Sequence, residues 1–347
     1  MYDGTVEQWL SSQELDNLQR TILDGQLPDG CKHCAQYEQT DGTSTRLGAI
    51  KDYGDAVNTD TMIDYVDYRS NNICNFRCRS CDPFYSNGIA QEARRYPELQ
   101  KFYPVPDHKT APTQIQDKQW ILNNLHRIKR LMFTGGEPTR IPEVREIIDR
   151  IKSDNNRDIS VMLTSNASFT DPYWFEITES MPNIHWTLSI DSVGTAAEII
   201  RDGTNWPLVS ATVERMFDIA PSVNIGTVIT NLNLMQLDLL FVWANDLKNK
   251  YDHRPNGKDH LIEVCNWPRY LSPYNWSNDR KNTVITFLET LRQQSGLQEK
   301  QQQIAETLLS NVTNFAPDPD LWAQFESYNK TLDNIRNQDH RVLLDPH

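Results

Sequence analysis

The chain has 347 residues and a mass of 40.2 kDa; 38% of it is hydrophobic, and 34 Lys and Arg against 47 Asp and Glu leave a formal charge of -13. That length supports one large core plus an accessory segment, and no uninterrupted apolar run approaches the roughly 20 residues of a membrane helix. The negative balance repels phosphate backbones and disfavours nucleic acid as a partner.

Met1–Leu10 is acidic and polar, without the basic flank and apolar stretch of a signal peptide, so a soluble, cytoplasmic protein is expected. The basic groups that could still form a local patch are Arg77, Arg79, Arg94 and Arg95, and Arg127, Lys129 and Arg130.

The first 60 residues read as an accessory segment. Ser12 followed by Leu15, Leu18 and Ile22 gives one helical face, which Gly25 ends. Cys31-Lys32-His33-Cys34 comes next, then a polar loop up to Asp60.

From Met62 the pattern becomes strands alternating with helices. Met62–Arg69, Arg127–Thr134, Ile159–Thr164, Ile184–Ile190, Val223–Ile229 and Leu261–Val264 have strand character. Between them, Pro142 stands before Val144, Ile147, Ile148 and Ile151 on one helical face. Asp171-Pro172 opens a helix carrying Trp174 and Ile177, and Leu234, Leu237 and Phe241 make a further stripe. Tyr96–Thr113, with its prolines, reads as a long loop. Past Pro268 the chain turns polar and helical, with a last helix near Leu321–Ile335. The expected organisation is therefore 1–60 accessory segment, 61–268 α/β domain and 269–347 helical extension. Six β/α units in series imply a parallel sheet with helical crossovers, either open and doubly wound or curled into part of a barrel. In both, ligands gather at the C-terminal ends of the strands.

Five of the six cysteines sit in two tight clusters, Cys31 and Cys34, then Cys74, Cys78 and Cys81; the sixth is Cys265. Clustered thiols in a large chain of this composition point to metal rather than to a disulfide scaffold. The Cys-x3-Cys-x2-Cys run directly follows the first strand. Soft thiolates suit iron–sulfur centres, and three ligands for four irons leave one iron open for a substrate. The competing reading is zinc, with Cys34 or His33 as a fourth ligand, but zinc sites favour paired Cys-x2-Cys knuckles.

Cys74, Cys78 and Cys81, then Thr134-Gly135-Gly136-Glu137-Pro138 after the second strand, then Ser189-Ile190-Asp191 ending the fourth, resemble in order the motifs of the radical S-adenosylmethionine (SAM) superfamily. Arg69–Phe76, Glu198–Gly203 and Cys31-x2-Cys34 with Glu38, Gly42, Ser44 and Arg46 resemble the branch with SPASM or twitch auxiliary domains. The resemblance spans about Cys31 to Pro268 and implies a partial (β/α)6 TIM-like barrel. It further implies an oxygen-sensitive enzyme that cleaves SAM reductively at a [4Fe–4S] cluster on Cys74, Cys78 and Cys81, giving a 5′-deoxyadenosyl radical.

By the same resemblance Gly135 and Gly136 let backbone approach SAM, and Glu137 helps hold its ammonium. Arg201 takes the SAM carboxylate, Ser189 the ribose or carboxylate, and Asn166 makes a further contact. Ser80 stands where many members carry an adenine-packing aromatic, and Phe76 is the nearest substitute. Cys31, Cys34 and Cys265 are candidates for a second site, read as an auxiliary Fe–S cluster, a zinc site with His33, or a degenerate remnant. The implied partners are SAM, a peptide or small-molecule substrate, and an electron donor such as flavodoxin or ferredoxin. Tyr65, Asp67, Tyr68 and Asp191 are candidates to pass a proton or electron to a substrate radical. The alternatives are a non-catalytic iron–sulfur or zinc-stabilised protein for binding or sensing, and an RNA-modifying member.

Overall fold

The structure is a computed structural model and describes residues 5–32, 34–35, 38, 44–53, 63–103, 118–252 and 258–345. His33 and Gly42, most of the polar loop up to Asp60 and residues 104–113 of the proline-rich loop lie outside the described residues. The chain divides into two compact units, Met1–Asp64 with Gln116–Arg127, and Tyr65–Ile115 with Ile128–His347.

In the first unit the described helices are Val6–Leu10, Gln13–Leu23, Thr45–Tyr53 and Lys118–Asn124. Ser12 caps the second by accepting from the Leu15 N–H, and Gly25, at φ +72, follows its end. Glu38 accepts from Ser44 Oγ at 2.5 Å and pairs with Arg46.

The second unit is built on strands β1 (Tyr65–Tyr68), β2 (Arg77–Cys78), β3 (Arg130–Phe133), β4 (Ser160–Ser165), β5 (Ile184–Ser189), β6 (Arg201–Asp202), β7 (Val223–Ile229) and β8 (His260–Val264). Its helices are α1 (Asn87–Arg95), α2 (Pro142–Ser153), α3 (Pro172–Ser180), α4 (Gly194–Ile200), α5 (Trp206–Ile219), α6 (Leu237–Lys250), α7 (Asn278–Leu291), α8 (Glu299–Asn314) and α9 (Pro319–Arg336). Six strands form one sheet in the order β1-β3-β4-β5-β7-β8, every neighbouring pair parallel. The spatial order is the chain order, with no reversal. A doubly wound sheet reverses at a switch point; a strictly sequential order of right-handed crossovers keeps the helices on one face, as in a barrel. Of the two architectures open to the sequence, the structure takes the barrel-type winding.

The strands alternate accordingly. On β4, Val161, Leu163 and Ser165 are buried while Ser160, Met162 and Thr164 are half-buried, and β5 repeats the pattern with Ile184, Trp186 and Leu188 inside. Helix α2 covers its neighbours with Val144, Ile147, Ile148 and Ile151, each worth about 1.5–3 kcal/mol on burial. Asp171 caps α3 by accepting from the Tyr173 N–H ahead of a Pro at the first helical position. No helix among the described residues is long and apolar enough to cross a membrane.

Candidate active site

The loop between β1 and α1 carries Cys74, Cys78 and Cys81, and hydrogen bonds hold it on three sides. On the first, the Cys74 N–H donates to Asn87 Oδ1 (3.1 Å) and Ser86 Oγ donates to the Phe76 carbonyl (2.8 Å). Ser86 is also the α1 N-cap, accepting from the Ile89 N–H, so the start of α1 positions the loop. On the second side, Asn75 donates to Ser168 Oγ (2.8 Å) and accepts from Asn166 Nδ2 (3.0 Å), linking the loop to the end of β4. On the third, β2 pairs antiparallel with β6, with Cys78 opposite Arg201 and Arg77 opposite Asp202.

The turn after β3 closes against the same loop. The Glu137 N–H donates to the Ile73 carbonyl at 2.7 Å. A Cβ on Gly136 would lie 2.2 Å from that carbonyl oxygen, so no side chain fits, and Gly135 has φ +102. Gly203 completes the packing, with φ +103 and so close an approach that a Cβ there would lie 2.8 Å from the Asn75 carbonyl oxygen.

Glu137 is only 1% exposed. Its Oε1 accepts from Ser165 Oγ (2.8 Å), Thr139 Oγ1 (2.7 Å) and the Thr139 N–H (3.2 Å), and its Oε2 accepts from the Asn166 N–H (2.7 Å). This carboxylate fastens the glycine turn to the end of β4. Its position is set by four donors of the chain itself, a role the motif alone did not disclose.

Phe76, Asn166, Ser189, Asp191 and Arg201 line one small cavity at the C-terminal ends of β4 and β5, so four of the expected SAM contacts come together. Asp191 accepts from Arg201 Nη1 (2.7 Å) and from the Val228 N–H (2.9 Å). Two buried polar atoms in the lining, Arg201 Nε and Ser192 Oγ, have no hydrogen-bond partner among the described residues. Buried donors are normally satisfied, and leaving one unpaired costs about 1–3 kcal/mol. Both groups suit an anionic or hydroxyl-bearing ligand.

Burial pushes the Cys74 thiol up to about 12 and also raises those of Cys78 and Cys81. Such thiols ionise only with a compensating positive charge, which a metal centre supplies. Burial alone would lower the Arg201 guanidinium, but Cys78 and Asp191 hold it above its ordinary value. Among the described residues, only Asp333, Asp339 and His340 bring three potential ligand atoms within 4.8 Å of one another.

The model of the Radical SAM superfamily matches residues 68–241, half of the chain, from the end of β1 into α6. The chain belongs to the radical SAM superfamily. Members of that family are SAM-dependent enzymes built around a [4Fe–4S] cluster, and the matched span holds the three cysteines, the glycine turn and Arg201. Among solved structures the chain is similar to histidine-tagged anSMEcpe with bound AdoMet (15% identity, TM-score 0.43), covering 67% of this chain and 58% of that one. It is also similar to SuiB of Streptococcus suis (14% identity, TM-score 0.39), covering 78% of this chain and 66% of that one. The chain thus spans less than two thirds of either. No curated protein matches it.

The remaining expected residues fall elsewhere in this radical SAM chain. Tyr65 is exposed on β1 with its hydroxyl 3.2 Å from Met132 Sδ, and Asp67 accepts from Thr134 Oγ1 (2.6 Å) and from Arg69. Tyr68 is buried edge-on to Phe133. Cys265 is buried just past β8, donates to the Trp267 carbonyl at 3.3 Å, and burial pushes its thiol up to about 11. Cys31 and Cys34 are free thiols in the other unit. Sequence reasoning missed Asn75, Asn87, Ser192 and the pairing of β2 with β6. The partners of Asn75 and Asn87 and the cavity around Ser192 are brought together only by the fold, and a two-residue strand has no periodicity to detect.

Proposed function

We propose that this chain is a reductive SAM-cleaving enzyme whose cluster is held by Cys74, Cys78 and Cys81. The observation that carries the reading is the pairing of Cys78 opposite Arg201, whose Nε, like Ser192 Oγ in the same cavity, has no hydrogen-bond partner among the described residues, together with the close approach at Gly136. When bound, the cluster and SAM supply a 5′-deoxyadenosyl radical that takes a hydrogen atom from an unactivated carbon, one electron coming from a donor such as a flavodoxin or ferredoxin.

The chain's own residues do the rest. Arg201 presents Nε to the SAM carboxylate while Asp191 neutralises its other edge, fixing the fork. Ser189 and Asn166 face the ribose, and Phe76, 2% exposed, gives the apolar wall beside the adenine in place of the aromatic missing at Ser80. Gly135 and Gly136 leave backbone carbonyls open to the SAM ammonium, with Glu137 holding that turn in place. The half-buried face of the sheet, including Met162, Thr164, His185 and Thr187, is where we place the substrate, a peptide or small metabolite. Cys31 and Cys34, in the first unit, we read as a remnant or a weak metal site, and Cys265, buried in the second, as a core thiol.

Anaerobic reconstitution tests the reading through iron and sulfide content, then 5′-deoxyadenosine formation from SAM with dithionite. About four irons per chain, with product lost in Cys78→Ala, is the expected result. Zinc in place of iron, or a cluster that never cleaves SAM, refutes it; iron approaching about eight per chain would restore the auxiliary cluster.

A further inference from the structure

Between Cys78 and Cys81 stands Arg79, a fully buried arginine that the chemistry above does not use. All five of its N–H donors are engaged. Nε donates to the Ile199 carbonyl (3.1 Å), and Nη1 to Asn329 Oδ1 (2.9 Å) and the Asn329 carbonyl (3.4 Å). Nη2 donates to Asp333 Oδ1 (2.6 Å) and Gln338 Oε1 (2.8 Å). Its backbone is tied at both ends, the N–H to the Ile200 carbonyl (2.8 Å) and the carbonyl to the Tyr328 hydroxyl (2.8 Å). One residue therefore joins the cysteine loop, the segment leading into Arg201, and helix α9.

A buried guanidinium is costly unless every donor is met, and the planar fork meets acceptors in fixed directions. We propose that Arg79 is a positioning residue for SAM binding, locking Cys78 and Arg201 into one frame, with α9 as the rear clamp of the site. Sequence adjacency places Arg79 one residue from Cys78, and the β2–β6 pairing places Cys78 opposite Arg201. The placement of Cys78, which would hold the cluster, relative to Arg201, which would take the SAM carboxylate, thus depends on acceptors from Asn329, Asp333 and Gln338, about 250 residues away. The inference rests on the radical SAM reading.

The test compares reconstituted wild type with Arg79→Lys, which keeps the charge and loses the fork, and Tyr328→Phe, which removes one clamp bond within the same volume. Leu308→Ala, in the core face of α8, is the control that lowers stability without touching the clamp. Readouts are iron content, thermal midpoint, SAM affinity by equilibrium dialysis, and the change in the reduced-cluster EPR spectrum on adding SAM. The expected result is iron uptake equal to wild type in both clamp variants, SAM affinity down by about tenfold, and a weakened SAM-dependent EPR change. Leu308→Ala should bind SAM as wild type does. If Arg79→Lys does not fold, Tyr328→Phe decides alone. Wild-type affinity and EPR change in the clamp variants, or an equal loss of affinity in Leu308→Ala, overturns the proposal while leaving the radical SAM reading intact. A wild type that shows no SAM-dependent EPR change refutes both.

Discussion

At Gly136 the backbone leaves no freedom of side chain, because a Cβ would meet the Ile73 carbonyl oxygen at 2.2 Å and neither partner is the end of a flexible chain. Gly136→Ala must therefore move the glycine turn away from the cysteine loop. It should lose about 1–3 kcal/mol of apo-protein stability in urea and most of its cluster uptake. Glu137→Gln poses a different problem at the same turn. The amide keeps one acceptor, but its NH2 would face the Asn166 N–H or the Ser165 and Thr139 donors. Loss of charged hydrogen bonds of this kind costs about 1.5–3 kcal/mol each, so the variant should unfold at clearly lower urea while Glu137→Asp recovers little, its carboxylate being too short to span both strand ends. Gly135, Gly136 and Glu137 were legible in the sequence as a motif. That Glu137 is a fastening carboxylate was not, since its partners Ser165 and Asn166 are brought to it only by strand pairing.

Among the elements, the six sheet strands were legible because each is a short β-branched or alternating run between good helix signals, as in Ser160–Ser165 before the Asp171 cap. The choice between barrel-type and doubly wound sheets was not, because periodicity carries no information on strand order. Helix α9 was visible as a helix, but nothing local marked Asn329 and Asp333 as acceptors for Arg79. The end of that helix also makes a pH prediction. His340 is buried with Nδ1 2.6 Å from Asp333 Oδ2; burial alone would lower its pKa, but Asp333 and the nearby Glu326 raise it above the ordinary histidine value. A raised folded value gives stability that is complete below the unfolded pKa of about 6.5 and is lost as pH rises through the folded one. The stability difference between wild type and His340→Asn, followed from about pH 6 upward by urea unfolding, should therefore shrink with rising pH. A difference that grows with pH would show the imidazole to be held neutral.

Across the whole molecule, the second unit is closed by contacts between its two ends in sequence. Arg336, at the end of α9, grips Glu92 of α1 with Nε at 3.1 Å and Nη2 at 2.6 Å, a bidentate pair whose side chains are both 2% exposed. Arg77 adds a contact to Glu92 at 3.3 Å and pairs with Asp202 at 2.6 Å, so the network runs from α1 through the paired β2 and β6 to α9. Such a pair gives little net stability over well-packed apolar groups, but removing one partner strands a buried charge. Glu92→Gln should then cost about 3–5 kcal/mol, and the double variant Glu92→Leu/Arg336→Leu should recover most of it. Urea unfolding followed by far-UV circular dichroism measures both. Equal losses in the single and double variants would mean that the pair's geometry, rather than its charge balance, holds α9 against α1. In that case the double variant should also weaken SAM binding, because α9 carries the acceptors of Arg79.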